Sequence, residues 1–210
     1  MRKRITPALA AALAVLACGP ALAEVEPTSI PVTTDAAALQ SGTYAMDPSH
    51  TEITFWVSHM GVSNYTGRFN KAAGTLQFDA ADPTQSTLEV TIDTASIDVN
   101  HQKLTPELAG EKHLNASAYP AITFKATKIE KTSPTTGRVT GDFTMLGVTK
   151  PVTLDVTFNG KITHPMRNMD VMGFSAKGVL KRTDWGYTAL TQVVGADVTF
   201  GIETEFHKAQ

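Results

Sequence analysis

The chain has 210 residues, with 18 Lys or Arg, 20 Asp or Glu and a single cysteine. Residues 1–23 have the composition of an export signal. Arg2, Lys3 and Arg4 precede an apolar run, residues 5–17, that is too short to span a membrane, and Ala21 and Ala23 provide the small residues that a signal peptidase reads. We therefore expect cleavage before Glu24 and a periplasmic protein. The alternative is a lipoprotein modified at Cys18, since residues 15–18 loosely resemble a lipobox.

Charge and cysteine content exclude several classes of function. Removal of the three basic residues of the signal leaves 15 basic residues against 20 acidic ones, a balance that disfavours nucleic acid as a partner. Loss of Cys18 leaves no thiol for a disulfide, a nucleophile or a thiolate metal site. No later apolar run is long enough to span a membrane. We expect a mature protein that is soluble or at most tethered, with transient membrane contact, as a monomer or homodimer.

Residues 24–42 are rich in Pro, Thr, Ser and Ala and show no sustained period, which predicts a flexible leader. Residues 43–207 read as one domain that opens with a hairpin. Ile53, Phe55, Val57 and His59 share one face of its first strand by alternation. A turn at residues 61–64 leads to a returning strand at 65–69. We expect a bulge at residues 72–74, because Phe69 has the opposite parity to Leu76 and Phe78.

A short helical insertion is predicted near residues 101–116. Thr105 has the character of an N-cap, Pro106 suits the first helical position, and Gly110 suits the end of the helix. The insertion would lie over one end of a sheet.

Most of the remaining chain alternates between apolar and polar residues. A turn at Gly147 and a loop at residues 161–172 separate the later strands, and the last strand, residues 194–206, is the clearest. The pattern gives about eight antiparallel strands in an all-β fold. Closing them into a barrel removes the exposed edges, but periodicity alone also allows a two-sheet sandwich.

Several motifs, taken in order, resemble the YceI-like family. They are Asp47-Pro-Ser-His50, Gly67-Arg-Phe69, Ser96-Ile-Asp98, residues 119–124, residues 141–152 and Arg182-Thr-Asp-Trp-Gly186. The resemblance covers roughly residues 44–206. It implies an extended eight-stranded lipocalin-like β-barrel whose lumen binds a polyisoprenoid or similar long-chain lipid. Residues 112–115 depart from the family's acidic-aromatic cluster, so the mouth of the pocket differs here.

A lumen of this kind needs an apolar lining and no directional chemistry. The candidate ligand-binding residues are Ile53, Phe55, Val57, His59, Phe69, Leu76, Phe78, Ile92, Phe124, Phe143, Phe174, Arg182, Trp185, Val198 and Phe200. The alternative is that the apolar members meet and fill a solid core.

The polar candidates each allow two interpretations. His59 either contacts a ligand or hydrogen-bonds backbone at the end of its strand. Arg182 either holds an anionic head group or fixes a strand corner together with Asp184 and Trp185. His101 and His113 lie near the helical insertion, at the lumen mouth or on the surface.

Other chemistries lack support in the sequence. The six histidines show no metal-ligand spacing, so no metal is expected, although a site assembled from distant strands stays open. No nucleophile elbow or phosphate-binding glycine loop is present, so neither catalytic residues nor a cofactor are expected.

Three functions follow. The first is a periplasmic carrier or sequestering protein for a polyisoprenoid or other long-chain amphiphile. The second is an enzyme acting on a quinone or prenyl substrate, which requires a polar cluster in the lumen. The third is a stress or interaction scaffold without a ligand, which requires a filled core.

Overall fold

Long antiparallel strands build almost all of the structure, a computed structural model that describes residues 30–209. The predicted signal, residues 1–23, lies outside the described residues. The elements in chain order are β1 (Gly42–His59), β2 (Ser63–Phe69), β3 (Ala72–Phe78), β4 (Thr87–Asp93), β5 (Ile97–Asp98), α1 (Leu104–Ala109), β6 (Ala121–Lys131), β7 (Thr136–Met145), β8 (Val148–Thr163), β9 (Asp170–Lys181) and β10 (Val194–Lys208).

The sheet closes on itself as a barrel. Its ring follows the order β1, β3, β4, β6, β7, β8, β9 and β10, and β10 pairs with β1 to complete it. Every pairing is antiparallel. Closure satisfies the backbone groups that the edge strands of an open sheet would expose. The predicted eight-stranded barrel is therefore confirmed.

Two of the eight positions in the ring are each shared by two shorter strands, β2 with β3 and β4 with β5. Residues 63–69 of β2 pair with the second half of β1, whereas residues 75–78 of β3 pair with its beginning. The short β5 pairs with β2 beyond the end of β4. The chain passes from β2 to β3 at residues 70–71. The irregularity therefore lies a few positions before residues 72–74, where a bulge was predicted. Lys71 explains the break, since its N–H donates to the Ser96 hydroxyl across the gap.

The helical insertion is confirmed, but its start differs from the prediction. Helix α1 begins at Leu104, whose N–H donates to Nδ1 of His101 over 3.1 Å. The Thr105 hydroxyl instead accepts the N–H of Val99, so Thr105 is not the N-cap. Gly110 ends the helix as predicted. Within residues 30–209, no helix has the length and apolar character needed to cross a membrane.

Part of the segment predicted as a flexible leader is held against the barrel. Thr33 exchanges two backbone hydrogen bonds with Lys161, and residues 36–38 form a helical turn capped by Asp35. Gln40 accepts hydrogen bonds from the Tyr44 hydroxyl and the Lys208 ammonium. The structure therefore adds contacts that the leader prediction did not include, since polar side chains and a strand-like bridge connect these residues to the barrel.

The later connections are tight. Leu146 and Gly147 both have positive φ, which matches a two-residue turn between β7 and β8, as the sequence predicts. The predicted loop at residues 161–172 shrinks to residues 164–169, since β8 and β9 continue their pairing to Thr163 and Asp170.

Buried apolar residues form two separate clusters. One lies nearer α1 and includes Ile122, Leu154 and Trp185. The other includes Tyr44, Met172 and Phe206. An eight-stranded barrel can fill its interior with side chains or keep space for one small ligand. The division into two clusters shows that the interior is not one continuous core.

Gly178 on β9 gives the aromatic ring of Phe200 its place against the barrel wall. A Cβ at position 178 would lie 2.5 Å from Cζ of Phe200 and 3.0 Å from Cδ2 of Leu154. Phe200 pairs directly with Gly178 across β10 and β9. The missing side chain lets the ring lie flat on the sheet instead of projecting across the lumen.

We expect Gly178→Ala to destabilise the protein by about 1–3 kcal/mol, because Phe200 must leave its position. Gly173→Ala is the matched control on the same strand, since its Cβ would meet neighbours only at 3.7 Å or beyond. Urea unfolding of both variants measures the difference. Equal stability of the two variants would contradict this role for Gly178.

Candidate functional site

A cavity of about 540 Å³ occupies the barrel interior. All eight ring positions contribute inward side chains to its lining, which is almost entirely apolar. The cavity extends from α1 and the loop at residues 187–190 at one end to residues 34–39 and the β6–β7 connection at the other. Its volume falls within the range of about 300–1,000 Å³ that is typical of small-molecule sites.

Most of the inward phenylalanines are only half-buried, whereas Phe124 and Phe206 are buried. Phe55, Phe69, Phe143, Phe174 and Phe200 all retain accessible surface and all line the cavity. In a filled core such side chains would be covered by their neighbours. Their remaining surface faces the cavity, so the lining is held open and the filled-core alternative is wrong for this part of the barrel.

The structure brings together nearly all of the candidate residues predicted from sequence. Fourteen of them line the cavity, namely Ile53, Phe55, Val57, His59, Phe69, Leu76, Phe78, Ile92, Phe124, Phe143, Phe174, Arg182, Val198 and Phe200. Whether these residues contact a ligand stays a prediction.

Trp185, which was also predicted to bind the ligand, is not among the residues that line this cavity. Its ring is buried against the barrel wall, edge-on to Phe143, and its Nε1–H donates to the Phe143 carbonyl over 3.1 Å. Burial of an indole with its N–H satisfied is a structural role. Trp185 therefore fixes the corner after β9 and does not face the lumen.

Arg182 is 3% exposed and uses its guanidinium to hold the same corner. Four N–H groups donate to backbone carbonyls of Tyr187, Ala189, Val194 and Gly195 over 2.8–3.0 Å. A guanidinium has five N–H donors, so little capacity remains for a head group. Burial lowers the pKa of Arg182, although the nearby Tyr187 acts in the opposite direction. Of the two interpretations, the structure favours the strand corner.

The end of the cavity near α1 carries a polar group of side chains. Nδ1 of His113 lies 2.8 Å from the Tyr187 hydroxyl, and Nε2 of His113 lies 3.8 Å from Oε1 of Glu107. The guanidinium of Arg182 lies over the Tyr187 ring at 4.9 Å. Burial raises the pKa of the Tyr187 phenol, and Arg182 opposes that shift. We call Glu107, His113 and Tyr187 the polar mouth.

His59 lies at the same end as the polar mouth. It pairs with Ser63 on β2 and with Val194 on β10, and its half-buried ring lines the cavity. Among residues 30–209, no side-chain hydrogen bond holds this imidazole, in contrast to His50, His113 and His164. The backbone interpretation of His59 is therefore not what the structure shows.

The opposite end of the cavity is covered by the anchored N-terminal segment. Thr34, Ala36 and Leu39 line the cavity there, beside Pro134 from the β6–β7 connection. The Thr33–Lys161 bridge holds this segment in place. Exposed Glu130, Lys131 and Ser133 also line this end, so the two ends differ in that one holds the half-buried His113–Tyr187 pair beside α1 and the other is covered by the N-terminal segment.

Sequence analysis missed part of the lining. Met46, Val90, Val139, Leu154 and Met172 belong to it and obey the same alternation, so stricter counting along each strand would have found them. Glu107 and Tyr187 are different. His113 and Tyr187 are 74 positions apart, and only the fold brings them together.

Comparison with known proteins places the barrel among described relatives. Residues 44–206 match the YceI-like domain family. A UPF0312 protein of Pseudomonas syringae pv. tomato is 34% identical over 154 residues, covering 72% of this chain and 80% of that protein. The crystal structure of a Campylobacter jejuni YceI protein is similar with a TM-score of 0.65 at 29% identity, over 73% of this chain and 90% of that one.

A more distant structure shares the fold. It is a polyisoprenoid binding domain from Saccharophagus degradans implicated in plant cell wall breakdown. The TM-score is 0.56 at 12% identity, over 81% of this chain and all of that one.

We expect Arg182→Lys to destabilise the protein by about 3 kcal/mol or more, because lysine cannot reach four buried carbonyls at once. Arg138→Lys is the matched control, since Arg138 is exposed and pairs with Asp155 on the surface. Urea unfolding compares the two. If both replacements had the same small effect, Arg182 would not be the residue that fixes this corner.

Proposed function

The chain belongs to the YceI-like family, and on that premise we propose that it is a periplasmic carrier or sequestering protein for a polyisoprenoid or other long-chain amphiphile. The observation that carries the proposal is the apolar cavity of about 540 Å³ inside the barrel. The Saccharophagus degradans domain of the same fold, described as polyisoprenoid binding, supports this class of ligand. A scaffold without a ligand would need a filled interior, which the half-buried phenylalanine lining argues against.

The energetics suit a long hydrocarbon chain. Each buried methylene contributes about 0.8 kcal/mol by transfer from water, so some twenty carbons would contribute roughly 16 kcal/mol before the cost of ordering the chain. The lining supplies apolar contact along the whole barrel and few polar groups at its centre. Such a lining binds by length and cross-section, and it does not distinguish closely related chains.

The polar mouth gives the ligand an orientation. His113 and Tyr187 form a half-buried polar pair at the end of the cavity near α1, whereas the opposite end is lined by Ala36 and Leu39 of the N-terminal segment, and its charged residues, Glu130 and Lys131, are exposed to solvent. An amphiphile gains most when its head group meets hydrogen-bonding side chains and its tail meets apolar ones. The head group therefore lies at the polar mouth, with the tail towards the N-terminal segment.

An exposed apolar rim adjoins the polar mouth. It consists of Met60 and Val62 from the β1–β2 turn and Leu190 and Val193 from the loop before β10. The Met60 N–H donates to the Val193 carbonyl over 2.7 Å, which joins the two loops. Leu190 is 56% exposed and also lines the cavity, so the lumen reaches the surface here.

This rim supports transient contact with a lipid bilayer during loading and release. Met60 is 63% exposed and Val62 is 84% exposed, and both lie beside the opening through which an apolar ligand would pass. Placing the rim in the bilayer interface would keep the tail away from water during transfer, since amphipathic surfaces bind there through their apolar residues.

Solvent extraction of purified protein followed by mass spectrometry is expected to recover a long-chain isoprenoid or related lipid. Ala176→Trp should abolish recovery, because Ala176 lines the cavity and a tryptophan would fill it. Val179→Trp is the matched control, since Val179 lies on the same strand and is exposed on the outer face. The proposal would be contradicted if no such lipid were recovered from the unmodified protein or from the Val179→Trp control.

The double replacement Met60→Asn and Val62→Ser is expected to slow transfer of a fluorescent polyprenol to phosphatidylcholine vesicles by roughly tenfold, because apolar contact with the bilayer is lost. Asparagine tolerates the positive φ of residue 60. The amount of bound polyprenol should stay unchanged. Val179→Ser removes an equally exposed apolar residue away from the opening. Transfer slowed equally by that control would contradict docking through the rim.

A further inference from the structure

A second site is assembled on the outer face of the barrel, away from the cavity. We propose that Asp47, His50, Glu205 and His207 bind a divalent transition metal ion, with Zn²⁺ as the best fit. The first two residues lie on β1 and the last two on β10, the strands that close the barrel. The proposal does not depend on the cavity or its ligand.

The fold brings these residues together through an irregularity in the seam. Met46 pairs with Phe206 and Thr51 pairs with Thr204, so residues 47–50 of β1 lie opposite the single residue Glu205. Glu205 and His207 flank the inward-facing Phe206, which places both on the outer side of β10. The extra residues of β1 allow Asp47 and His50 to reach the same place.

The donor atoms of three residues lie at distances suited to a shared metal ion, and His50 lies beside them. Oδ2 of Asp47 lies 2.7 Å from Nδ1 of His50 and 3.5 Å from Nε2 of His207. Oε2 of Glu205 lies 3.3 Å from Nε2 of His207 and 3.9 Å from Nδ1 of His50. Ligand atoms of Asp47, Glu205 and His207 all lie within 4.8 Å of one another.

Tetrahedral zinc with bonds of about 2.0–2.1 Å places its ligand atoms about 3.3–3.4 Å apart. The two separations that His207 makes, 3.5 Å to Asp47 and 3.3 Å to Glu205, lie close to that value, and the exposed imidazole of His50 lies beside this group as the fourth ligand. Two imidazoles and two carboxylates suit Zn²⁺ better than the all-oxygen sites of calcium or magnesium. Two neutral imidazoles and two carboxylates also balance the charge of a divalent ion.

Neighbouring groups orient the ligands before any ion binds. The Ser49 N–H donates to Oδ1 of Asp47 over 2.9 Å, which leaves Oδ2 facing the site. The Thr51 hydroxyl donates to the Asp47 carbonyl and lies 2.8 Å from the Thr204 hydroxyl across the seam. Supporting contacts of this kind tune metal sites, since they fix the orientation of the ligands.

The ligands differ in their access to solvent. His207 is buried and packs edge-on to the His164 ring at 6.2 Å. His50 and Glu205 remain exposed, which gives an ion a path from solvent.

Isothermal titration of the tag-free, chelator-treated protein with ZnCl₂ is expected to show one zinc ion per chain. His50→Gln and Glu205→Gln should each weaken the affinity by roughly tenfold or more, because each removes one ligand from an exposed position. His101→Gln is the matched control, since it replaces an exposed histidine at the other end of the barrel and should leave the affinity unchanged.

Thermal unfolding provides a second measurement. If the cluster were held only by hydrogen bonds and bound no ion, zinc would not change the melting temperature. Zinc should raise the melting temperature of the unmodified protein and of His101→Gln by more than that of Glu205→Gln, because the ion joins β1 to β10 only in the folded state and binds the last variant more weakly. No binding to the unmodified protein, binding that His50→Gln and Glu205→Gln leave unchanged, or equal weakening by His101→Gln would each overturn the proposal.

Discussion

The pairing of β1 with β10 is the constraint on which the rest of the structure depends. These strands come from opposite ends of the domain, and their pairing turns an open sheet with two exposed edges into a closed barrel. Across this seam Ile53 faces Ile202, Phe55 faces Phe200 and Val57 faces Val198, so inward apolar residues meet in register. A slip by one residue would turn all of them outward. Closure and the apolar lining are therefore specified by the same residues.

The barrel interior is lined and not filled because its aromatic rings lie along the wall. Gly178 makes room for Phe200, and Gly67 lies opposite Phe55 in the same way. Small residues under large ones let the rings spread over neighbouring strands. Two buried clusters then stabilise the barrel, while the half-buried rings are left facing open space. The cavity is a consequence of this placement, and the proposed ligand would complete the burial of those rings.

Alternation in the sequence was sufficient to predict the antiparallel strands and most of the cavity lining. Ile53, Phe55, Val57 and His59 face inward as the period of two requires, and the strand at residues 194–206 was clear for the same reason. The choice between barrel and sandwich came from the family resemblance, because both architectures alternate in the same way. Contacts between residues far apart in the sequence explain where the structure differs in detail from the prediction. His101 satisfies the start of α1 in place of Thr105, and Thr33 joins the predicted leader to the barrel.

The roles of residues whose partners lie far away in the sequence could not be predicted from the sequence. Arg182 and Trp185 fix a strand corner through backbone carbonyls of Val194 and Phe143, which lie 12 and 42 positions away in the sequence. The polar mouth joins His113 to Tyr187, and the outer cluster joins residues 47–50 to Glu205 and His207. Neither group of residues forms a motif with a recognisable spacing in the sequence, since both groups come together only when the barrel closes.

Native mass spectrometry of the protein, purified without detergent from the cells that produce it, tests the central claim most directly. A species heavier than the polypeptide by the mass of one long-chain amphiphile, which loses that mass on mild activation, is the result that the lined and open barrel predicts. A single species at the mass of the polypeptide alone, unchanged after incubation with polyprenol-containing vesicles, would contradict it.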